Sequence, residues 1–191
     1  MDKKGTALGT LAAYAANLDL SQVPGRVIRA AEFCVLDTVG SALGAARDPE
    51  IAGLCREIRK LGSGNGYQAS VWGYDGTLNL NEALLLNGMM AHALELDDVH
   101  TASKSHIGAV VMPAAWSCAE ALGRDGKAFL EAVVAGYEVM GRIGKAMDVV
   151  SNRKRGWHTT GIIGTFGAAA AAGKLMGLDR RKMVSALGMA G

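Results

Sequence analysis

Few residues in this chain do the work that other proteins assign to disulfides, stacked rings or charge. Three cysteines, Cys34, Cys55 and Cys118, lie far apart in apolar helical surroundings, with no Cys-x-x-Cys spacing. That excludes an iron-sulfur cluster held by neighbouring cysteines, gives a thiolate zinc site little support, and leaves buried free thiols suited to a reducing cytoplasm. Aromatics make up only 5% of the residues and proline occurs three times, although half of the chain is hydrophobic. The core must therefore be aliphatic, built from Ala, Leu, Val, Ile and Met. No uninterrupted apolar run approaches the roughly 18 residues of a membrane span, and the N-terminal MDKKGT is followed by no signal-type apolar segment. The net charge is +2 with Lys and Arg scattered, so nothing points to nucleic acid. The one dense basic run, Arg153-Lys154-Arg155, reads as a solvated loop able to touch a carboxylate or phosphate.

What the chain has in excess is glycine, 26 in 191 residues. Many fall inside helical patterns (Gly40, Gly44, Gly88, Gly136, Gly141, Gly144, Gly164, Gly167), where each costs about 1 kcal/mol relative to alanine. Close helix-to-helix packing is the usual compensation. Stop and start signals recur: Pro24 opens one helix, Asp48-Pro49 caps another that Gly62 ends, and Asp125 and Asp179 precede two more. A helical pattern resumes after Asn79 and runs to about Leu96, another covers 107–122 and a further one 162–176, with VVSNRKRGWHTTG read as a loop. Only 69–72, between glycine-rich flanks, reads as a strand. The expectation is an all-α fold, a compact bundle of about seven helices with Gly/Ala-rich tight packing, and one short strand at most. The ending Met189-Ala190-Gly191, with no polar tail, reads as a truncation.

Two stretches carry chemistry. HALELDDVHTASKSHIG, residues 92–108, gathers His92, His100 and His106 with Glu95, Asp97 and Asp98. On a helix ending near Leu96, His92, Glu95 and Asp98 follow at three-residue spacing and share a face, and carboxylates at a helix C-terminus oppose its dipole. Solvated or turn-capping acids, a metal site and acid/base work are the three readings, and the spacing fits no standard zinc pattern. His106 precedes a helix beginning near Ile107, where free backbone amides attract anions. RGWHTTG, residues 155–161, repeats that arrangement, with Thr159 or Thr160 as the expected cap and His158 toward a cleft. GIIGTFG follows no strand and SGNG lacks the Lys-Ser/Thr of a phosphate loop, so neither is a nucleotide site. Glu138 and Arg142 form an i, i+4 ion pair.

Three segments together, LNGMMAHALELDDVHTASKSHIGAVVMPAA, GYEVMGRIGKAM and RGWHTTGIIGTFGAAAAAGKLMGLD, resemble the MmgE/PrpD family in order and spacing, over about residues 11–191. That family includes 2-methylcitrate dehydratase, cis-aconitate decarboxylase and iminodisuccinate epimerase. The resemblance implies that 1–191 is an incomplete N-terminal helical domain, lacking the family's lid domain and a downstream segment carrying active-site lysines. It also implies a homodimer without metal or organic cofactor, acting as a lyase or isomerase on a small polycarboxylate. Proton movement next to a carboxylate is the shared chemistry. Glu95, Asp97, Asp98, His106 and His158 match the family's catalytic positions, and Lys104, Ser105, Thr159 and Thr160 are the substrate-binding candidates beside them. Where relatives often carry Thr, this chain has Val99, with Thr101 the nearest replacement. Which histidine is the base stays open at this point. So do two other readings: a catalytically silent helical module needing a separate C-terminal half, and a metal-dependent hydrolase using His92, Asp97, Asp98 and His106.

Overall fold

The computed structural model describes residues 5–61 and 66–191; Gly62, expected to end a helix, and most of the SGNG loop lie outside them. In chain order the elements are α1 (Ala7–Asn17), a single 3-10 turn (Leu20–Gln22), α2 (Gly25–Ala45), α3 (Pro49–Lys60), β1 (Gln68–Ser70), β2 (Thr77–Asn79), α4 (Leu80–His92), α5 (Gly108–Ala121), α6 (Gly126–Ala146), α7 (Val149–Lys154), α8 (Thr159–Leu175) and α9 (Arg180–Ala190). The all-α expectation holds. Two helices exceed the expected seven among the described residues, and both lack a clear apolar period. The Ala-rich α1 buries only Gly9, Ala12 and Ala15, and the short α7 buries nothing. β1 falls where a strand was read, and it exists because β2 pairs with it antiparallel, Ala69 opposite Leu78.

Caps follow the sequence. Asp48 accepts from the Glu50 and Ile51 amides, Asp125 from Ala128, and Asp179 from Lys182. Each supplies an oxygen to a first-turn N–H that has no helical partner.

The core centres on α5, whose Val111, Met112, Ala115 and Cys118 are buried between α6, α8 and α4. Glycines let these helices meet. A Cβ on Gly136 of α6 would stand 2.6 Å from Val111 Cγ1 and 3.1 Å from the Gly167 carbonyl of α8. Gly164 and Gly167 are also close, with a Cβ at 3.1 Å from Val110 and 3.0 Å from Met140, whereas Gly40 on α2 faces open space, so close packing does not account for that one. α1 and α9 pack together against α8. Cys55 and Cys118 are buried free thiols; Cys34 is only half-buried. No described helix is long and apolar enough to cross a membrane.

Candidate active site

The helix expected to reach Leu96 stops at His92. Glu95 then takes a left-handed backbone conformation, φ 49°, and the chain turns out of the helix, so His92, Glu95 and Asp98 do not share a helical face. Glu95 is left exposed on that turn. The loop from Ala93 to Ile107 closes on itself through a bridge between His100 and Ser105, with the His100 amide donating to the Ser105 carbonyl at 2.9 Å. Inside it, His100 Nδ1 lies 2.7 Å from Ser103 Oγ, and Ser103 Oγ 2.6 Å from Ser105 Oγ; both serines are fully buried. Ser105, expected among the binding residues, is thus committed to the loop's interior, where an unpaired hydroxyl would be costly, and does not border the cavity next to His106 and His158. The loop seats on α6, where a Cβ on Gly144 would come within 2.3 Å of Ser103 Cβ.

This loop sends its adjacent aspartates in different directions. The Asp97 side chain is wholly buried, with Oδ1 2.9 Å from His92 Nδ1 and Oδ2 3.2 Å from His106 Nδ1. The two imidazoles meet edge-on, centroids 4.6 Å apart. Asp98 instead turns toward α5 and α6: its Oδ1 accepts from the Gly108 amide at 3.1 Å and from the Tyr137 hydroxyl at 2.9 Å. The expectation that both aspartates line the site therefore changes. Asp98 satisfies an orphan amide at the α5 N-terminus, because α5 has no cap of its own from Ile107. Burial raises the Asp98 carboxyl above the ordinary carboxylate range, against the lowering effect of the Tyr137 hydrogen bond. The Tyr137 phenol is in turn pushed up by burial and by the charge of Asp98.

At the other junction His158, not Thr159 or Thr160, is the N-cap of α8, its Nδ1 accepting from the Gly161 amide at 3.3 Å. The two threonines lie in the first turn and are buried. Thr160 Oγ1 accepts from the His106 amide at 3.0 Å, which ties the two junctions together. The Thr159 hydroxyl is buried and has no hydrogen-bond partner among the described residues.

Between the junctions lies a cavity of about 220 Å³ bordered by Lys104, His106, Arg153, His158, Thr159, Val99 and Trp157. Two cationic side chains, two imidazoles and the N-terminus of α8 surround it, a setting that favours an anion. A larger and mostly apolar opening of about 780 Å³ lies between α3, α4, α5 and α8 and is bordered by His92 and Thr160. Sequence reading found His106, His158, Lys104 and Thr159. It grouped His92 with Asp97 only as metal ligands and did not expect the direct hydrogen bond between them, since an i, i+5 contact follows only when the helix breaks.

The ligand atoms of His92, Asp97 and His106 lie within 4.8 Å of one another, and by type they suit a divalent cation. Their present separations are those of hydrogen bonds. Of the four groups in the metal-hydrolase reading, three come together, and Asp98 does not join them.

Residues 9–191 match the MmgE/PrpD N-terminal domain, and the chain belongs to that family. It is similar to the cis-aconitate decarboxylase-like protein oryM of Aspergillus oryzae, 32% identical over 194 residues, covering 98% of this chain and 40% of that protein. Cis-aconitate decarboxylase of Aspergillus terreus is 32% identical over 197 residues, covering 93% of this chain and 37% of its own length. The Homo sapiens cis-aconitate decarboxylase is 32% identical over 180 residues, covering 91% and 36%. The chain thus spans about two-fifths of the relatives it matches.

Proposed function

We propose that this chain carries the histidine-bearing wall of a lyase or isomerase site that moves a proton at a carbon next to a carboxylate, in a small polycarboxylic acid of the cis-aconitate or 2-methylcitrate type. The observation that carries the reading is the convergence of Lys104, Arg153, His106 and His158 on one cavity at the N-terminus of α8. A carboxylate of such an acid is an acceptor for those donors. A second carboxylate, or the enolate formed from the first, needs further donors, and preorganised donors aimed at developing charge are the usual source of rate enhancement. The relatives named as cis-aconitate decarboxylases support the substrate class, and dehydration, decarboxylation and epimerisation all begin or end with such a proton transfer.

A second reading, a helical module that is silent without a further segment, is favoured by the exposed apolar side chains of Val99 and Trp157 at the rim of the cavity. The homodimer implied by the resemblance belongs to the same proposal, supported by exposed Phe33, Leu36 and Leu43 on α2. The test is turnover of citrate and cis-aconitate in D₂O, followed by proton NMR, with the chain alone and with His106→Ala and His158→Ala. Losses of roughly 10²- to 10⁴-fold are expected in each variant, the range for general acid/base groups. Unchanged turnover in both would overturn the site, and a wild-type chain without turnover would favour the silent module.

A further inference from the structure

A neutral imidazole donates through the nitrogen that holds its proton and accepts through the other. In this site the partner of each Nδ1 is of one kind only, and the tautomers follow. Asp97 is a carboxylate and accepts; it meets Nδ1 of both His92 and His106. Both rings therefore carry Nδ1–H and keep the lone pair on Nε2. His158 is the reverse case. A backbone N–H only donates, and the Gly161 amide points at His158 Nδ1, so the proton of that ring sits on Nε2.

We propose that His106 and His158, which border one cavity, divide the chemistry by tautomer: His106 accepts the substrate proton through Nε2, and His158 donates its Nε2–H to the oxygen on which charge accumulates. The inference rests on the function proposed above and assigns the base that the sequence leaves open. In the step itself the C–H bond next to the carboxylate breaks and its proton bonds to His106 Nε2. The electron pair moves into the bond toward the carboxylate carbon, giving an enediolate whose oxygen accepts from His158. The positive charge gained by His106 lies against Asp97, and in the return direction the same imidazolium gives its proton back to carbon.

Asp97 and His92 are positioning residues in this scheme. Asp97 is buried where it has no solvent to turn toward, and its two oxygens are separately engaged. By occupying Oδ1, His92 leaves Oδ2 for His106 and fixes the plane of the carboxylate. Thr160 fixes the other end of the residue through the His106 amide. In serine proteases a carboxylate-to-amide change beside the catalytic imidazole costs about 10⁴-fold through the wrong tautomer, and the same error is available here.

The chain has four histidines, so each ring can be assigned in ¹⁵N-labelled protein by long-range proton–nitrogen correlation spectra. At alkaline pH the wild-type chain is expected to show His92 and His106 protonated on Nδ1 and His158 protonated on Nε2. In Asp97→Asn the amide offers one oxygen and one NH₂, so one of His92 and His106 must accept through Nδ1 and move its proton to Nε2, while His158 keeps its pattern. His106 protonated on Nε2 in the wild type, or His158 on Nδ1, would overturn the assignment, and the wild-type spectrum suffices should Asp97→Asn fail to fold. The spectra are read without substrate, so absent turnover would count against the proposed function while leaving the tautomers to their own test.

Discussion

Two junctions bring histidines to one cavity, and they are built in opposite ways. The loop between α4 and α5 holds His106 by a buried network: Asp97 on the ring, Thr160 on the backbone, and the Ser103–Ser105 pair locking the loop against α6. The turn between α7 and α8 leaves His158 and Trp157 exposed, and the His158 ring is held only by the Gly161 amide among the hydrogen bonds of the described residues. One junction is coupled to the fold's stability and the other is nearly free of it. A base must hold its ring in place to within a fraction of an ångström, whereas a donor at a helix N-terminus is steered by the helix itself.

The sharpest way to break this contrast is Asp97→Ala. It leaves two N–H groups facing a fully buried space, and a loss of about 3 kcal/mol in urea unfolding is expected alongside loss of turnover. A variant as stable as the wild type would show that the loop is not held by this carboxylate. Next comes Gly144→Ala, which removes no hydrogen-bonding group but presses on Ser103, whose hydroxyl bonds to His100 and Ser105. Its Cβ would meet Ser103 Cβ at 2.3 Å and Ile163 Cδ1 at 2.8 Å, so the loop must move and stability should fall by about 1–3 kcal/mol. Gly40→Ala, facing open space on α2, serves as its control and should be neutral or stabilising by up to about 1 kcal/mol.

A smaller effect separates the two aspartates of the loop. Burial raises the Asp98 carboxyl above its ordinary 3.8, so the folded chain binds this proton more tightly than the unfolded chain does. That contribution is fully present below the unfolded value and is lost as pH rises through the raised one. Relative to Asp98→Asn, the wild type should therefore lose stability as pH rises through that interval, measured by urea unfolding from about pH 3 to 7. A relative gain would mean that the hydrogen bonds from Tyr137 and Gly108 outweigh burial. Smallest of all should be the stability change in His158→Ala, under about 1 kcal/mol for loss of an exposed cap, measured by the same unfolding.

Much of the fold was legible because its signals are local. Asp48-Pro49, Asp125 and Asp179 are caps whose oxygens reach amides two or three residues on, and they read the same in sequence and structure. α1 escaped because an Ala-rich helix buried through three small residues has little apolar period, and α7 because one short polar turn of helix looks like a loop. The end of α4 was misplaced for a different reason. Nothing local in ALEL forbids helix, and it is the seating of the loop on α6 that accompanies the stop after His92.

By itself the sequence determined which groups are at hand: histidines ahead of two helices, adjacent aspartates, a hydroxyl pair at the α8 start, and glycines where helices must touch. Only the tertiary structure decided what each group does. Asp97 and Asp98 are chemically identical neighbours, yet one is committed to two imidazoles and the other to Tyr137 and the Gly108 amide. His106 and His158 are the same residue before the same kind of helix end, yet their Nδ1 atoms face an acceptor and a donor. The His158 contact is a local cap, three residues long, but Asp98 meets Tyr137 across 39 residues. Asp97 meets its two imidazoles only where the chain leaves the helix and folds back, which no helical period encodes.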